Sequence, residues 1–449
     1  MPHSLLRLFI CLNCLLTGAH FLHAGEQGLA IACAGLGLGA FCRADWLRPV
    51  LAVFFLTSSI VWTDTGAELV RFRATAGLPW TRLLFIMACL CASALAAAAA
   101  LCTSLRKKTF PLITAHGRLR SLVFLGIAVL LLIARSKTPF PILLADRYPT
   151  GNSGGSGWGG LEIFCLALYG QWLAARLINP TRRPGAGGLR PIIWAGFSAV
   201  FFVQLFLGLA GMEQMLMTGK LHLPVPALIV AGPLYRGGGL FMPILLGVSV
   251  LLLGPAWCSH LCYIGAWDDL ASRRKKTPRA LSPRLARLIK WSRLVILILV
   301  CATALGLRAA GVPGTTAIWP AAIFGIIGLG VMFFLSRRWG FMAHCTLFCP
   351  IGWLTTTLGR ISPWRMDMGQ DCTHCGACSR ACRYAALTPD AIMRGKPGPT
   401  CTLCGDCVAA CPHSTMHYTL YGGCASIARP VFVGLVVILH AVFLATARI

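Results

Sequence analysis

The chain has 449 residues, 57% hydrophobic and only 12% charged, and a mean hydropathy of +0.74, which is too much apolar surface for a water-soluble core. Forty Lys and Arg face thirteen Asp and Glu, yet the basic residues sit in short loops beside apolar runs with no aromatic–basic platform, so the counter-charge is membrane lipid and not nucleic acid. The twenty-two cysteines fall largely in dense runs with metal-ligand spacing, which excludes a disulfide scaffold and places them on a reducing side.

In chain order, apolar segments long enough to cross a bilayer fall near 5–22, 27–41, 47–63, 82–103, 120–135, 160–178, 191–213, 240–257, 291–309, 318–336 and 430–447, about eleven helices. The first also reads as a signal peptide with a small-residue site near Ala24; retention is the preferred reading. Cys33, Cys89, Cys91, Cys102 and Cys301 lie in these stretches as small packing residues. Basic loops carry Arg106, Lys107, Lys108, Arg118 and Arg120, then Arg182, Arg183 and Arg190, then Arg273, Arg274, Lys275, Lys276, Arg279, Arg284 and Arg287, and Arg337 and Arg338 follow the tenth segment. These loops are an even number of crossings apart and share one side, the cytoplasm of a bacterial inner membrane by the positive-inside rule, with the amino terminus on the same side. The opposite loops, 136–159 and 214–239, are rich in Pro, Gly and apolar residues and suit the membrane interface.

Between the last two segments stand CTHCGACSRAC (Cys372, Cys375, Cys378, Cys382) and CTLCGDCVAACP (Cys401, Cys404, Cys407, Cys411). Both read C-x2-C-x2-C-x3-C, the spacing of a bacterial-type ferredoxin with two [4Fe-4S] clusters. Three thiolates wrap one cubane and the fourth cysteine serves the other cluster, so Cys372, Cys375, Cys378 and Cys411 form one set and Cys401, Cys404, Cys407 and Cys382 the second. Zinc ribbons use separated cysteine pairs and fit poorly. Gly376 and Gly405 suit turns that bring backbone close to sulfur. Pro412 matches the usual end of the motif, whereas Arg383 stands where the first run often has Pro. Arg380, Arg383, Arg394 and Lys396 surround the cysteines and favour the reduced clusters.

A second pattern repeats: PAWCSHLCYIGAW (Cys258, Cys262) and MAHCTLFCPIGW (Cys345, Cys349), each at the cytoplasmic end of an apolar segment. On a continuous helix the i, i+4 spacing puts both thiols on one face. The shared Cys-x3-Cys-x-Ile-Gly text reads as a duplication, and four thiolates converging on one site suit an additional Fe–S cluster or another thiophilic metal such as copper. Packing cysteines that happen to repeat are the bland alternative.

These motifs resemble the membrane-bound, ferredoxin-containing proteins of the NapH/NosR type, which combine two CxxxCP motifs with a two-cluster ferredoxin segment. The resemblance covers about 191–428, with Tyr263 in place of the first Pro and Pro350 matching the second. It implies electron exchange with the quinone pool, as a quinol dehydrogenase-type oxidoreductase subunit of a respiratory chain serving other redox subunits. A related branch reduces copper during assembly or maturation of an oxidoreductase, which is the alternative reading. No flavin-binding amino-terminal domain is found, and the role of 1–190 is unassigned.

The fold class expected is an all-α integral membrane protein with an inserted α+β ferredoxin domain. Its divisions are a six-helix membrane domain over 1–190, a four-helix core with the paired motifs over 191–362, the ferredoxin domain over 363–428 and a final helix over 429–449. Scarce acids near membrane boundaries (Asp146, Glu162, Glu213, Asp268, Asp269) are candidate functional groups. His222 and Arg236 in the outward segment offer a proton acceptor and an anchor for a quinone headgroup. His20, His23 and His440 are better read as structural than as haem ligands, and no CxxCH is present for covalent haem.

Overall fold

The computed structural model describes residues 3–42, 44–102, 113–147, 157–178, 188–216, 223–421 and 425–446. Arg106, Lys107, Lys108, Arg182, Arg183 and His222 lie outside them. The chain packs as two compact units, Met1–Ala175 and Arg176–Ile449, and among the described residues ten helices are long and apolar enough to cross a membrane.

The first unit is built from α1 (His3–His23), α2 (Gln27–Gly39), α3 (Leu47–Thr75), α4 (Thr81–Cys102), α5 (Ala115–Lys137) and most of α6 (Gly159–Ile178), whose last three residues are counted with the second unit. The expected second crossing is the exception: α2 has 13 residues, about 20 Å at 1.5 Å per residue, against a hydrocarbon core of about 30 Å. Leaving it out changes the number of crossings counted between the amino terminus and the basic loops by one. The parity among the basic loops is untouched, since α2 precedes them all. The acids singled out here are tied into the fold. Arg135 pairs with Asp146 at 2.7 Å and with Glu26 at 2.9 Å, and Glu162 accepts the N–H of Ala145 at 2.8 Å. His20 lies against Trp62 at 5.2 Å between ring centroids.

The second unit continues with α7 (Arg190–Leu209), α8 (Leu228–Arg236), α9 (Phe241–Leu253), α10 (Trp257–His260), α11 (Tyr263–Ser272), α12 (Pro283–Ala309), α13 (Gly314–Gly330) and α14 (Arg337–Trp339), the last two joined by a π-helical stretch at Val331–Ser336. Ser282 caps α12 through the N–H of Leu285, with Pro283 in the first turn where no N–H is needed. The helix therefore starts earlier than its apolar run, and Arg284 and Arg287 lie on it. Gly340, with φ +76°, ends α14 and turns the chain back toward the second CxxxC motif.

The insertion follows α15 (Pro350–Leu358). It holds β1 (Trp364–Met368), α16 (Ala377–Ala381), α17 (Pro389–Met393), α18 (Asp406–Ala410) and β2 (Met416–Leu420), and α19 (Ala425–Thr446) closes the chain. β1 and β2 pair antiparallel, with Trp364 opposite Leu420 and Met368 opposite Met416. Alternation along both strands turns Trp364, Met366, Met416 and Tyr418 into one buried cluster that also contains Phe432 of α19 and Leu253 of α9. The insertion and the helix ends therefore share a core. Trp364 fixes the junction by donating its indole N–H to the Leu252 carbonyl at 2.6 Å.

Candidate iron–sulfur centres

The two ferredoxin runs fold alike. His374 and Leu403, each just before the second cysteine, have φ of 54° and 55°; Gly376 and Gly405, just after it, have 70° and 80°; Ala385 and Ser414, three residues past the fourth cysteine, have 53° and 55°. Left-handed non-glycine residues are uncommon and cost energy. Their recurrence at matching positions turns successive backbone N–H groups into concavities of the kind that cradle anionic groups, Fe–S clusters included.

Cys372, Cys375, Cys378 and Cys411 line one concavity, with Ile392, Pro412, Thr415 and Met416 in its wall. Cys375 is exposed, so this site faces water. Cys401, Cys404 and Cys407 each feel the charge of Cys382, which brings together the second crossed set. Burial pushes all four thiols of that set above their ordinary range, so a bound metal must displace their protons. Among the described residues, no three His, Cys, Asp or Glu side chains close on one point as a single bound ion requires; the thiols are spread around volumes instead.

The paired CxxxC motifs meet. Cys258, Cys262, Cys345 and Cys349 line a single cavity, with Trp257, Arg293, Tyr384, Thr400 and Thr402. The expectation that each pair lies on one helix face is corrected. Cys258 is on α10, which stops at His260, and Cys262 is the extended residue that starts α11 (ψ 111°). Cys349 starts α15 in the same way (ψ 116°), while Cys345 sits in a π-helical turn. Pro350 takes the first position of α15. Tyr263 does the same for α11, its ring stacked on Phe201 at 3.8 Å, so the missing proline leaves the geometry intact.

The repeated Ile-Gly has a physical reason. N–H groups of Ile264 and Gly265 approach the Cys262 sulfur, and those of Ile351 and Gly352 approach Cys349, partly offsetting the burial that pushes both thiols up. A Cβ on Gly265 would stand 2.9 Å from the Cys258 carbonyl, and one on Gly352 would stand 2.8 Å from the Cys345 carbonyl. Each glycine lets the helix start ride over the first cysteine of its own motif.

Around these sites lies a polar scaffold that sequence reading only partly foresaw. Asp268, fully buried, accepts the Ser336 hydroxyl at 2.5 Å and the Cys345 N–H at 2.9 Å; burial raises its pKa to about 6 against the pull of those two donors. Arg190 makes a two-pronged contact with Asp406, both arms at 2.8 Å, and reaches Asp269 at 3.2 Å. Arg273 bridges the same two carboxylates at 2.6 and 2.5 Å. Burial disfavours the Asp406 charge, but Arg190 and Arg273 outweigh it and hold the carboxyl at about 2. Arg190 reads as a loop charge in the sequence and Asp406 draws no notice there; the available signal is an acid between Cys404 and Cys407 in a chain with so few acids.

Arg383, whose charge is felt by Cys382, also holds neighbouring backbone. Its guanidinium donates to the carbonyls of Ser272, Lys275, Lys276 and Gly340 at 2.7–3.3 Å, which explains why proline is absent there. Arg236 stands at the end of α8 just before α9, at the opposite end of the 20-residue span Phe241–His260 from Cys258, and is not brought to the quartet. Glu213 is exposed in a short turn, and His440 packs against Phe197 at 4.9 Å between ring centroids.

A family model described as a 4Fe-4S binding domain matches residues 237–280. That stretch runs from the start of α9 past α11 and contains Cys258 and Cys262 but none of the eight ferredoxin-type cysteines. No curated protein and no solved structure matches the chain. With its apolar helices and this domain, the chain is a multi-pass membrane protein of the iron–sulfur kind.

Proposed function

We propose that the chain carries single electrons between a water-facing cluster and the membrane along a row of three [4Fe-4S] centres. Cys372, Cys375, Cys378 and Cys411 hold the outer one, Cys382, Cys401, Cys404 and Cys407 the middle one, and Cys258, Cys262, Cys345 and Cys349 the inner one. One observation carries the reading: Tyr384, Thr400 and Thr402 line the quartet cavity and also flank the middle set, two residues after Cys382 and on either side of Cys401. Two hydrogen bonds join those walls, from Tyr384 to the Cys258 carbonyl at 3.2 Å and from Ser259 to the Thr402 carbonyl at 3.0 Å. Each bound cluster takes up and releases one electron.

Cys258, Cys262 and Cys349 are buried and Cys345 is half-buried, so the inner site exchanges electrons with a lipid-soluble carrier. The quinone pool fits, since a quinol gives up its two electrons singly to such a row and releases its protons. The basic loops favour a cytoplasmic insertion in a bacterial inner membrane, and in this reading other redox subunits reach the exposed Cys375 end.

The test uses the full-length protein in lipid vesicles. About twelve irons and as many acid-labile sulfides per chain are expected, and quinol should reduce the clusters by EPR. Replacing Cys345 and Cys349 by Ser should abolish reduction by quinol while dithionite still reduces the ferredoxin pair. Undiminished quinol reduction in that variant, or stoichiometric copper in place of the extra iron, overturns the proposal.

A further inference from the structure

Arg293 projects from the membrane-spanning α12 into the quartet cavity and is only 5% exposed. Its Nε has no hydrogen-bond partner, and among the described residues no carboxylate lies within ion-pair distance of it. Its electrostatic neighbours are Cys258, Cys349 and Cys345, and its guanidinium lies over the first turn of α15, where a Cβ on Gly352 would be 3.4 Å from Nη1. An arginine does not give up its proton, and an uncompensated buried cation is strongly unfavourable. The cavity must therefore supply negative charge. Four protonated thiols supply none, whereas four thiolates around a [4Fe-4S] core of charge two plus leave a net charge of two minus.

We infer that Arg293 is the counter-ion of an anionic iron–sulfur cluster held by Cys258, Cys262, Cys345 and Cys349, and that its fixed charge raises the reduction potential of that cluster above the value it would otherwise have. The inference rests on the third-centre reading above. Reduction adds one electron, from a quinol on the membrane side or from the middle centre, breaks no bond and takes the site from two to three negative charges. A cation in a water-poor cavity favours the more negative state. Arg293 acts through charge and position and touches no substrate.

The experiment is an anaerobic EPR-monitored titration of the full chain with dithionite, together with iron and sulfide content, for the wild type, R293Q, R293K and C345S. C345S identifies which signal belongs to the quartet. R293Q should lower the midpoint of that signal alone by a tenfold or larger change in its reduction equilibrium, about 59 mV, while R293K retains most of the wild-type value. Loss of about four irons in R293Q but not in R293K supports the same assignment, since charge is then needed for the cluster to be held. Unchanged midpoints with full iron in R293Q, or equal effects of the two substitutions, overturn the role of Arg293 while the third centre stands. A wild-type content of about eight irons overturns both.

Discussion

The carboxylate of Asp268 accepts the backbone N–H of Cys345 at 2.9 Å, so a residue just past the first CxxxC motif positions the first cysteine of the second. Its other oxygen accepts the Ser336 hydroxyl, which in turn accepts the Ala343 N–H at 2.9 Å. One buried acid thus fixes the whole approach to the second motif.

Replacing Asp268 by Ala leaves the Cys345 N–H and the Ser336 hydroxyl short of their acceptor, at about 1–3 kcal/mol each. The expected outcome is loss of the quartet centre with both ferredoxin signals kept. Iron analysis and EPR decide it, and full retention of the extra iron would show that Asp268 is dispensable for the site.

Removing Asp406 takes the two-pronged partner from Arg190, which is 6% exposed, and leaves it Asp269 at 3.2 Å. Breaking a buried pair from one side typically costs about 3–5 kcal/mol. Asp406→Ala should release the insertion from the helix ends, seen as faster proteolysis between Thr388 and Thr400. Arg190→Met combined with Asp406→Leu should recover part of the loss.

Arg383→Ala removes the guanidinium's hydrogen bonds to the carbonyls of Ser272, Lys275, Lys276 and Gly340. Hydrogen bonds involving a charged group contribute about 1.5–3 kcal/mol each. Arg383→Pro, the residue this position often carries, should keep all eight ferredoxin cysteines competent while loosening the same junction. Faster amide exchange in Lys275–Thr277 is the readout, and unchanged exchange in both variants would refute the clamp.

The two cluster-wrapping glycines should respond differently. Alanine at either has the left-handed penalty of about 1–2 kcal/mol. A Cβ on Gly376 meets only the end of Arg380 at 3.5 Å, whereas one on Gly405 would stand 2.6 Å from the Tyr418 hydroxyl. Gly405→Ala is therefore expected to deplete the middle centre and Gly376→Ala to be tolerated; comparing the two EPR signals in each variant checks this.

Much of this was legible in the sequence, because apolar runs and cysteine spacing are local signals. Ten spanning helices and the ferredoxin runs follow from them. The second crossing misled because small apolar residues from Gln27 to Gly39 make a helix too short for the bilayer, and composition does not reveal length. The convergence of Cys258 and Cys262 with Cys345 and Cys349 was inferred from repetition, yet the route to it was misread. Spacing of i, i+4 is equally compatible with one helix and with a helix end followed by a new start. The partners of Arg190, Arg383 and Asp268 lie far away in the chain, and no local pattern announces a contact of that kind.

The contact between Arg190 and Asp406 spans 216 positions. At about 5–20 residues per second, the ribosome needs roughly 10–40 s after making the arginine before it makes the aspartate. During that interval α7 is already available to the insertion machinery while its first residue still needs water or lipid phosphate as a substitute. Metal loading of the inner cavity cannot precede translation of Cys349, and the middle site waits longer still, for Cys407. The earliest moment at which each proposed site has all its cysteines is thus ordered from the membrane outward, and for every one of them it comes late in synthesis.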